Sequence, residues 1–424
     1  MKSNWICLTV AALLLLSLGA GCRTRQEPEA ELPPVTVLHF LHYQWEARKP
    51  MIDIFEEFMR ENPDVRIEYD LTGGDQYEVL LQSRFLTKSN MDIVGVHPGV
   101  SVSVEYARSG FLTDLTDMSF MQGVEPKFLD LSEYNGRYYA LPIDACYIAC
   151  LYNKKMFSDL DLASPTTWSE FMAACETLMR AGVTPISFGL KDIWIGQLIA
   201  YALAATTVYR DNPDFNKQLH DGTAHFSGAE WTKTMEMYKS LEPYFNEDYE
   251  SISYEQQISL FAGEETAMLV TGTWTLAMIE ESNPSLEYGA FILPGSDNGD
   301  NWMSQAVGGM LAISANSKNK EAAERFLSYF MREDVYYKYV SATNNLPVKT
   351  SVEIDYSPVL RDVAFSVQGT YRFLNQDWRI SSDRFFLSGI KKMFAGQGIA
   401  DIMAEFDIAW NQIVRKAPEG DEKP

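Results

Sequence analysis

Apolar positions along this chain switch repeatedly between two periods. The run Val35-Thr36-Val37-Leu38-His39-Phe40 follows a Pro-Pro pair and reads as a buried strand. Met51, Ile54, Phe55 and Phe58 then recur at i, i+3, i+4 and i+7, one face of an amphipathic helix that Asn62-Pro63 ends. Residues 65–71 alternate as a second strand, 77–86 read as a helix, and 91–96 as a short buried strand. This βαβαβ order predicts a parallel sheet covered on both faces by helices. Thr167 and Glu170 have the spacing of a capping box at a later helix start. Further on, 321–331 place Ala322, Ala323, Phe326, Leu327 and Phe330 on one side of a helix, and Met403, Phe406, Trp410 and Ile413 mark a last helix. There is no internal repeat, and residues 417–424 form a polar tail.

The first 34 residues follow neither period. Lys2 precedes a 13-residue apolar run, 6–18, which suits the core of a signal peptide and falls short of the ~20 residues a spanning helix needs. Gly19-Ala20-Gly21 leads to Cys22, and this junction resembles the bacterial lipoprotein box, in which the cysteine is acylated and becomes the mature N-terminus. Gly19 stands where that box prefers Leu, and a plain secretory signal with an incidental cysteine is the alternative. The expectation is a signal peptide over 1–21 and a lipid-anchored tether over 22–34, whose sequence (RTRQEPEAELPP after Cys22) is polar and proline-bearing. That places the protein at the extracellular face of a bacterial membrane, with no second membrane segment.

A length of 424 residues predicts two or three domains at about 150 residues each. Lys+Arg of 35 against Asp+Glu of 58 gives a net charge of -23, which argues against nucleic acid or an anionic surface as the main partner. Of five cysteines, Cys146, Cys150 and Cys175 lie in the body of the chain. Cys146 and Cys150 share a strand-like run, where four residues span ~13 Å against the ~7 Å limit of a disulfide, so buried free thiols are expected. No cysteine or histidine spacing matches a metal site, and His39 and His42, three apart on a strand, face opposite ways. No cofactor is implied. The nucleophile elbow, P-loop, dinucleotide fingerprint and His-Glu-x-x-His are absent from the sequence. A glycosidase-like carboxylate pair leaves no local motif, so an enzyme acting on carbohydrate stays open at this point.

Several segments resemble the extracellular solute-binding proteins of carbohydrate ABC importers, family 1 of that class. They include Phe55-Glu56-Glu57-Phe58 through Val65, Ala107 through Thr116, and above all Asn135-Gly136-Arg137-Tyr138-Tyr139-Ala140-Leu141-Pro142-Ile143-Asp144 with Leu151-Tyr152-Asn153-Lys154-Lys155-Met156-Phe157. Pro165-Thr166-Thr167-Trp168, Gly272-Thr273-Trp274, Gly308-Gly309-Met310, Ser317-Lys318-Asn319-Lys320 and Asn345-Leu346-Pro347 continue the series in family order. Asn90-Met91-Asp92 departs from it where the family usually has Pro before Asp, and agreement is weak between 190 and 246. The resemblance implies an α/β, periplasmic-binding-protein-like fold of two lobes, about 35–143 plus 308–344 and 144–307 plus 345–416, with a ligand cleft between them. Three hinge crossings would lie near 142–145, 307–309 and 344–347. It also implies a monomer that carries a carbohydrate, an oligosaccharide above all, to ABC permease subunits. A non-sugar solute such as a polyamine or organophosphate is the alternative ligand.

A pyranose offers an apolar face and a rim of hydroxyls, which flat aromatics and paired donors and acceptors match. Aromatics make up 13% of the chain and include nine tryptophans, so a use for them is expected. Trp45 after the first strand and Trp274 in its Gly-Thr-Trp turn are the foremost ring candidates, followed by Trp194 and Trp378, with Trp302 behind them; Trp168 and Trp410 read as core. Gln44 and His42 end the first strand, where open α/β sheets hold ligands. Gln76 or Asp75 follows the second strand and His97 the third. Asp144 at the first crossing is the leading carboxylate, for sugar contact or for a hinge hydrogen bond. Gly309 at the second crossing would let main chain approach a ligand.

Overall fold

The computed structural model describes residues 35–416 apart from 74–75, 100–101, 365 and 379–381. The expected signal peptide, Cys22, the tether, Asp75 and the tail therefore lie outside the described residues. Strand β1 (Thr36–His42) pairs in parallel with β2 (Val65–Leu71) on one side and β3 (Ile93–Val96) on the other. Helices α1 (Arg48–Glu61) and α2 (Tyr77–Leu86) make the crossovers. α1 buries Met51, Ile54, Phe55 and Phe58, the four residues of its apolar period. Phe58 meets Phe326 of the helix Lys320–Phe330 edge-on, with ring centroids 5.2 Å apart. That contact ties the start of the chain to a helix some 270 residues later and closes the core of the first lobe.

A short hairpin, β4 (Glu133–Tyr134) and β5 (Arg137–Tyr138), precedes β6 (Leu141–Asn153), the longest strand. Then come β7 (Thr184–Ser187), β8 (Thr266–Gly272), β9 (Tyr288–Phe291), β10 (Met303–Ile313) and β11 (Thr370–Arg372). The main sheet runs β2-β1-β3-β10-β6-β8-β7, with β11 against β10 and β9 against β6. It is mixed rather than wholly parallel, because β10 lies antiparallel to β3 and to β6. The reason is connectivity: β10 enters the sheet between β3 and β6 from the end opposite to that of β1 and β3.

β6 and β10 lie side by side at the middle of the sheet. Leu141 of β6 sits beside Leu311, whereas Cys150 sits between Val270 of β8 and Phe291 of β9. A third segment reaches β6 where Ala145 and Leu346 exchange backbone hydrogen bonds of 2.9 and 2.7 Å. Just before it, Asn344 ends the helix Glu333–Thr343 in the left-handed conformation (φ 54°), which asparagine tolerates better than most residues. In the second lobe, the helix Trp168–Arg180 opens with the capping box of Thr167 and Glu170. Cys146, Cys150 and Cys175 are buried free thiols, and burial raises the pKa of each. No helix among the described residues is long and apolar enough to cross a membrane.

Candidate functional site

All three crossings converge on one carboxylate. Asp144 has no exposed surface. Its Oδ1 accepts the backbone N–H of Gly309 at 2.8 Å. Its Oδ2 accepts from Asn345 Nδ2 at 2.8 Å, from the Tyr339 hydroxyl at 3.2 Å and from Gln44 Nε2 at 3.5 Å. The donors come from β10, from the third crossing, from the helix that leads into it and from the loop after β1. Sequence makes room for this: the register of β10 against β6 slips on both sides of Gly309, and a Cβ at Gly308 or Gly309 would stand 2.4 Å from Asp144 or Gln44. Burial pushes the Asp144 carboxyl up to about 6, and its four hydrogen bonds only partly offset that.

Beside this knot, the loop after β1 meets the loop after β8. Glu46, just before α1, lies near enough to Tyr254 for each to shift the other's titration, and the Tyr254 hydroxyl accepts the indole N–H of Trp274 at 2.8 Å. Tyr254 also packs against Trp194, with ring centroids 4.8 Å apart. Trp45, Trp194 and Trp274 are all partly exposed. Burial, with the nearby Glu255 charge adding to it, lifts the Glu46 carboxyl to about 7. Arg48 approaches Glu281 at 3.8 Å, and Arg372 pairs with Asp130 at 2.7 Å and Asp377 at 3.0 Å. Partly exposed indoles among carboxylates and hydroxyls, at a junction of two hinged bodies, make a surface suited to a polar ring-shaped solute.

The pattern of bacterial extracellular solute-binding proteins matches residues 45–336, more than half of the chain. The chain belongs to that family. It is 26% identical over 405 residues to the multiple sugar-binding protein of Streptococcus mutans, covering 92% of this chain and 94% of that one. It is 25% identical over 369 residues to the melibiose/raffinose/stachyose-binding protein MelE of Bacillus subtilis, covering 84% and 83%. The solved structure of the solute-binding protein RafE in complex with raffinose superposes with a TM-score of 0.77 at 22% identity, over 90% of this chain and all of the other. The fold is thus that of the two-lobed periplasmic binding proteins, as the ordered motifs imply.

Within a solute-binding protein the expected site residues divide into three groups. Trp274 and Trp194 both meet Tyr254, while Trp45 and Gln44 lie in the loop after β1, where Gln44 reaches Asp144. His97 lies at the carboxyl end of β3, stacked on Tyr43 with centroids 3.7 Å apart and hydrogen-bonded through Nδ1 to Glu78. Its side chain is 41% exposed. Gln76 is exposed on the surface before α2.

The remaining expectations need correction. Trp378 is 1% exposed and packs among Tyr201, Phe226, Trp231, Phe386 and Trp410, so it is core and presents no face to a solute. His42 is also 1% exposed; it accepts the Gln44 backbone N–H through Nδ1, and burial first, then His97, lowers its pKa to about 3. Its neighbour Gly95 passes so close that a Cβ there would stand 2.9 Å from the ring. For Asp144, where a hinge hydrogen bond was the alternative to sugar contact, both oxygens are taken by protein donors, and Gly309 is buried against Gln44 rather than open to a ligand. Glu46 and Tyr254 went unnoticed in the sequence, because a contact between residues so far apart leaves no local pattern; Tyr43, whose hydroxyl donates to Gly308 O at 2.8 Å, escaped for the same reason.

Proposed function

We propose that this protein captures a carbohydrate, most readily an oligosaccharide, between the lobes 35–143 plus 308–344 and 144–307 plus 345–416, and delivers it to the permease subunits of an ABC importer. The observation that supports the reading is the pair of partly exposed indoles in neighbouring loops, Trp45 next to Glu46 and Trp274 bonded to Tyr254, whose side chains lie near enough to shift each other's titration. A pyranose face laid on an indole gains apolar contact, while Glu46, Tyr254, Gln44 and His97 supply acceptors and donors for its hydroxyls. The names of the relatives, all of them sugars in the cases above, support the same solute class.

Closure follows from the hinge. Contacts to both lobes exist only when they meet, so a solute that touches both shifts the population toward the closed form. In this reading the protein works as a monomer, loses residues 1–21, and is held at the extracellular face of the membrane by a lipid on Cys22, with 22–34 as tether. A thermal-shift screen over oligosaccharides, polyamines and sugar phosphates tests the solute class, since a ligand of the native state raises its melting temperature. Stabilisation by polyamines alone would overturn the carbohydrate reading. Trp45→Ala and Trp274→Ala should each weaken sugar binding by roughly 1–3 kcal/mol while the melting temperature without sugar changes little.

A further inference from the structure

Both junction indoles lie on a glycine. A Cβ built on Gly272 would stand 1.9 Å from Cζ3 and 2.1 Å from Cε3 and Cη2 of Trp274, inside the six-membered ring's own space. A Cβ on Gly73 would stand 2.1 Å from Cδ1 and 2.8 Å from Nε1 of Trp45. Neither glycine is there for its backbone. Gly272 has φ -80° and ψ 152°, extended conformation that any residue adopts, and Gly73 does not take the left-handed φ that favours glycine. What each position requires is the absence of a side chain, so that a large flat ring can rest on the main chain.

We propose that Gly73 and Gly272 are positioning residues for solute binding, each the seat that fixes the height and tilt of one indole and together setting how the two aromatic faces receive a sugar. The inference rests on the reading of Trp45 and Trp274 as the rings that meet the solute. Each ring is pinned at a second point. The Trp274 indole N–H reaches the Tyr254 hydroxyl at 2.8 Å, and the Arg48 guanidinium lies 5.5 Å from the Trp45 ring centroid. With the ring held at seat and edge, little torsional freedom is left for a solute to remove on binding. An alanine at either seat must lift the ring by about 1.5 to 2 Å to restore an ordinary carbon–carbon separation of ~3.5–4 Å. A shift of that size breaks the Trp274–Tyr254 hydrogen bond, and a gap of even 0.5–1 Å forfeits about a quarter to a half of a dispersion contact.

The test uses the full chain labelled with 5-fluorotryptophan, with the Trp45 and Trp274 resonances assigned by Trp→Phe variants. In the sugar-free protein, Gly272→Ala should move the Trp274 resonance and Gly73→Ala the Trp45 resonance, with the others in place. Calorimetry with raffinose, stachyose and maltotriose should show roughly tenfold or greater loss of affinity in each alanine variant for whichever of these binds the parent protein. That loss should be smaller when Gly272→Ala is introduced beside Trp274→Phe, whose shorter ring clears the new methyl. Unmoved resonances overturn the seats whatever the binding data show. Resonances that move while affinity holds overturn the positioning role and, with it, the reading of these two rings as sugar-facing.

Discussion

Replacing Asp144 by Asn tests whether a buried charge governs the hinge. The wild-type carboxyl is fully buried, and its pKa rises from the ordinary 3.8 to about 6, burial being the main cause. A carboxyl whose folded pKa is raised binds its proton more tightly in the native state. Its contribution to stability is therefore complete below 3.8 and is lost as pH rises through 6. At about 1.4 kcal/mol per tenfold change in proton affinity, the whole effect is about 3 kcal/mol, of which about 2 kcal/mol falls between pH 4 and pH 7. Asn keeps the shape and removes the charge. It also turns one of the two accepting edges into an NH2 that faces donors, and it replaces the remaining charge-assisted bonds by neutral ones of roughly half their strength. Both losses lower the variant's stability by an amount that does not depend on pH, so the informative quantity is the slope. Urea unfolding of both proteins at pH 4, 5, 6 and 7 should show Asp144→Asn gaining about 2 kcal/mol on the wild type from the lowest to the highest pH. A difference flat to within about 0.5 kcal/mol, or one that favours the wild type as pH rises, would refute the reasoning.

Two further outcomes follow from the same geometry, and one from the sequence of the first 34 residues. His42, held neutral with a pKa near 3, contributes stability that is present above its ordinary 6.5 and lost as pH falls toward 3; its imidazole resonances should not titrate near pH 6.5 in the native state, and a midpoint there would show the ring to be solvated. Gly309→Leu places a side chain in a buried position where its Cβ would stand 2.4 Å from Gln44 Oε1, so the melting temperature without sugar should fall, and an unchanged melting temperature would show that the packing around Asp144 tolerates the side chain. Cys22→Ala should move the protein from the membrane fraction to the medium, and an unchanged membrane fraction would exclude the lipid anchor.

Much of the framework was legible because it depends on local periods. The α1 face of Met51, Ile54, Phe55 and Phe58, the span of α2 and the capping box at Thr167 all follow from spacing within a few residues. The mixed direction of the sheet was not, since it depends on β10 entering from the opposite end. Trp274 and Trp378 show the same limit at the site. Both are tryptophans close to short regular elements, yet one rests on Gly272 at the lobe junction and the other is enclosed by five aromatic neighbours contributed from along the second lobe. Asp144 was marked by its place after Leu-Pro-Ile, but only the convergence of Gly309, Tyr339, Asn345 and Gln44 assigns its oxygens to the hinge. Sequence spacing carries no information about which of two polar partners, solute or protein, will fill a carboxylate's lone pairs.

Small-angle scattering, recorded without sugar and with the sugar that stabilises the protein most, addresses the central claim of capture by closure. If solute is held between lobes that rotate about Asp144 and its partners, the radius of gyration should be larger without sugar and fall on saturation as the closed form is populated. A radius that stays the same on saturation, with binding confirmed by calorimetry in the same samples, would contradict it.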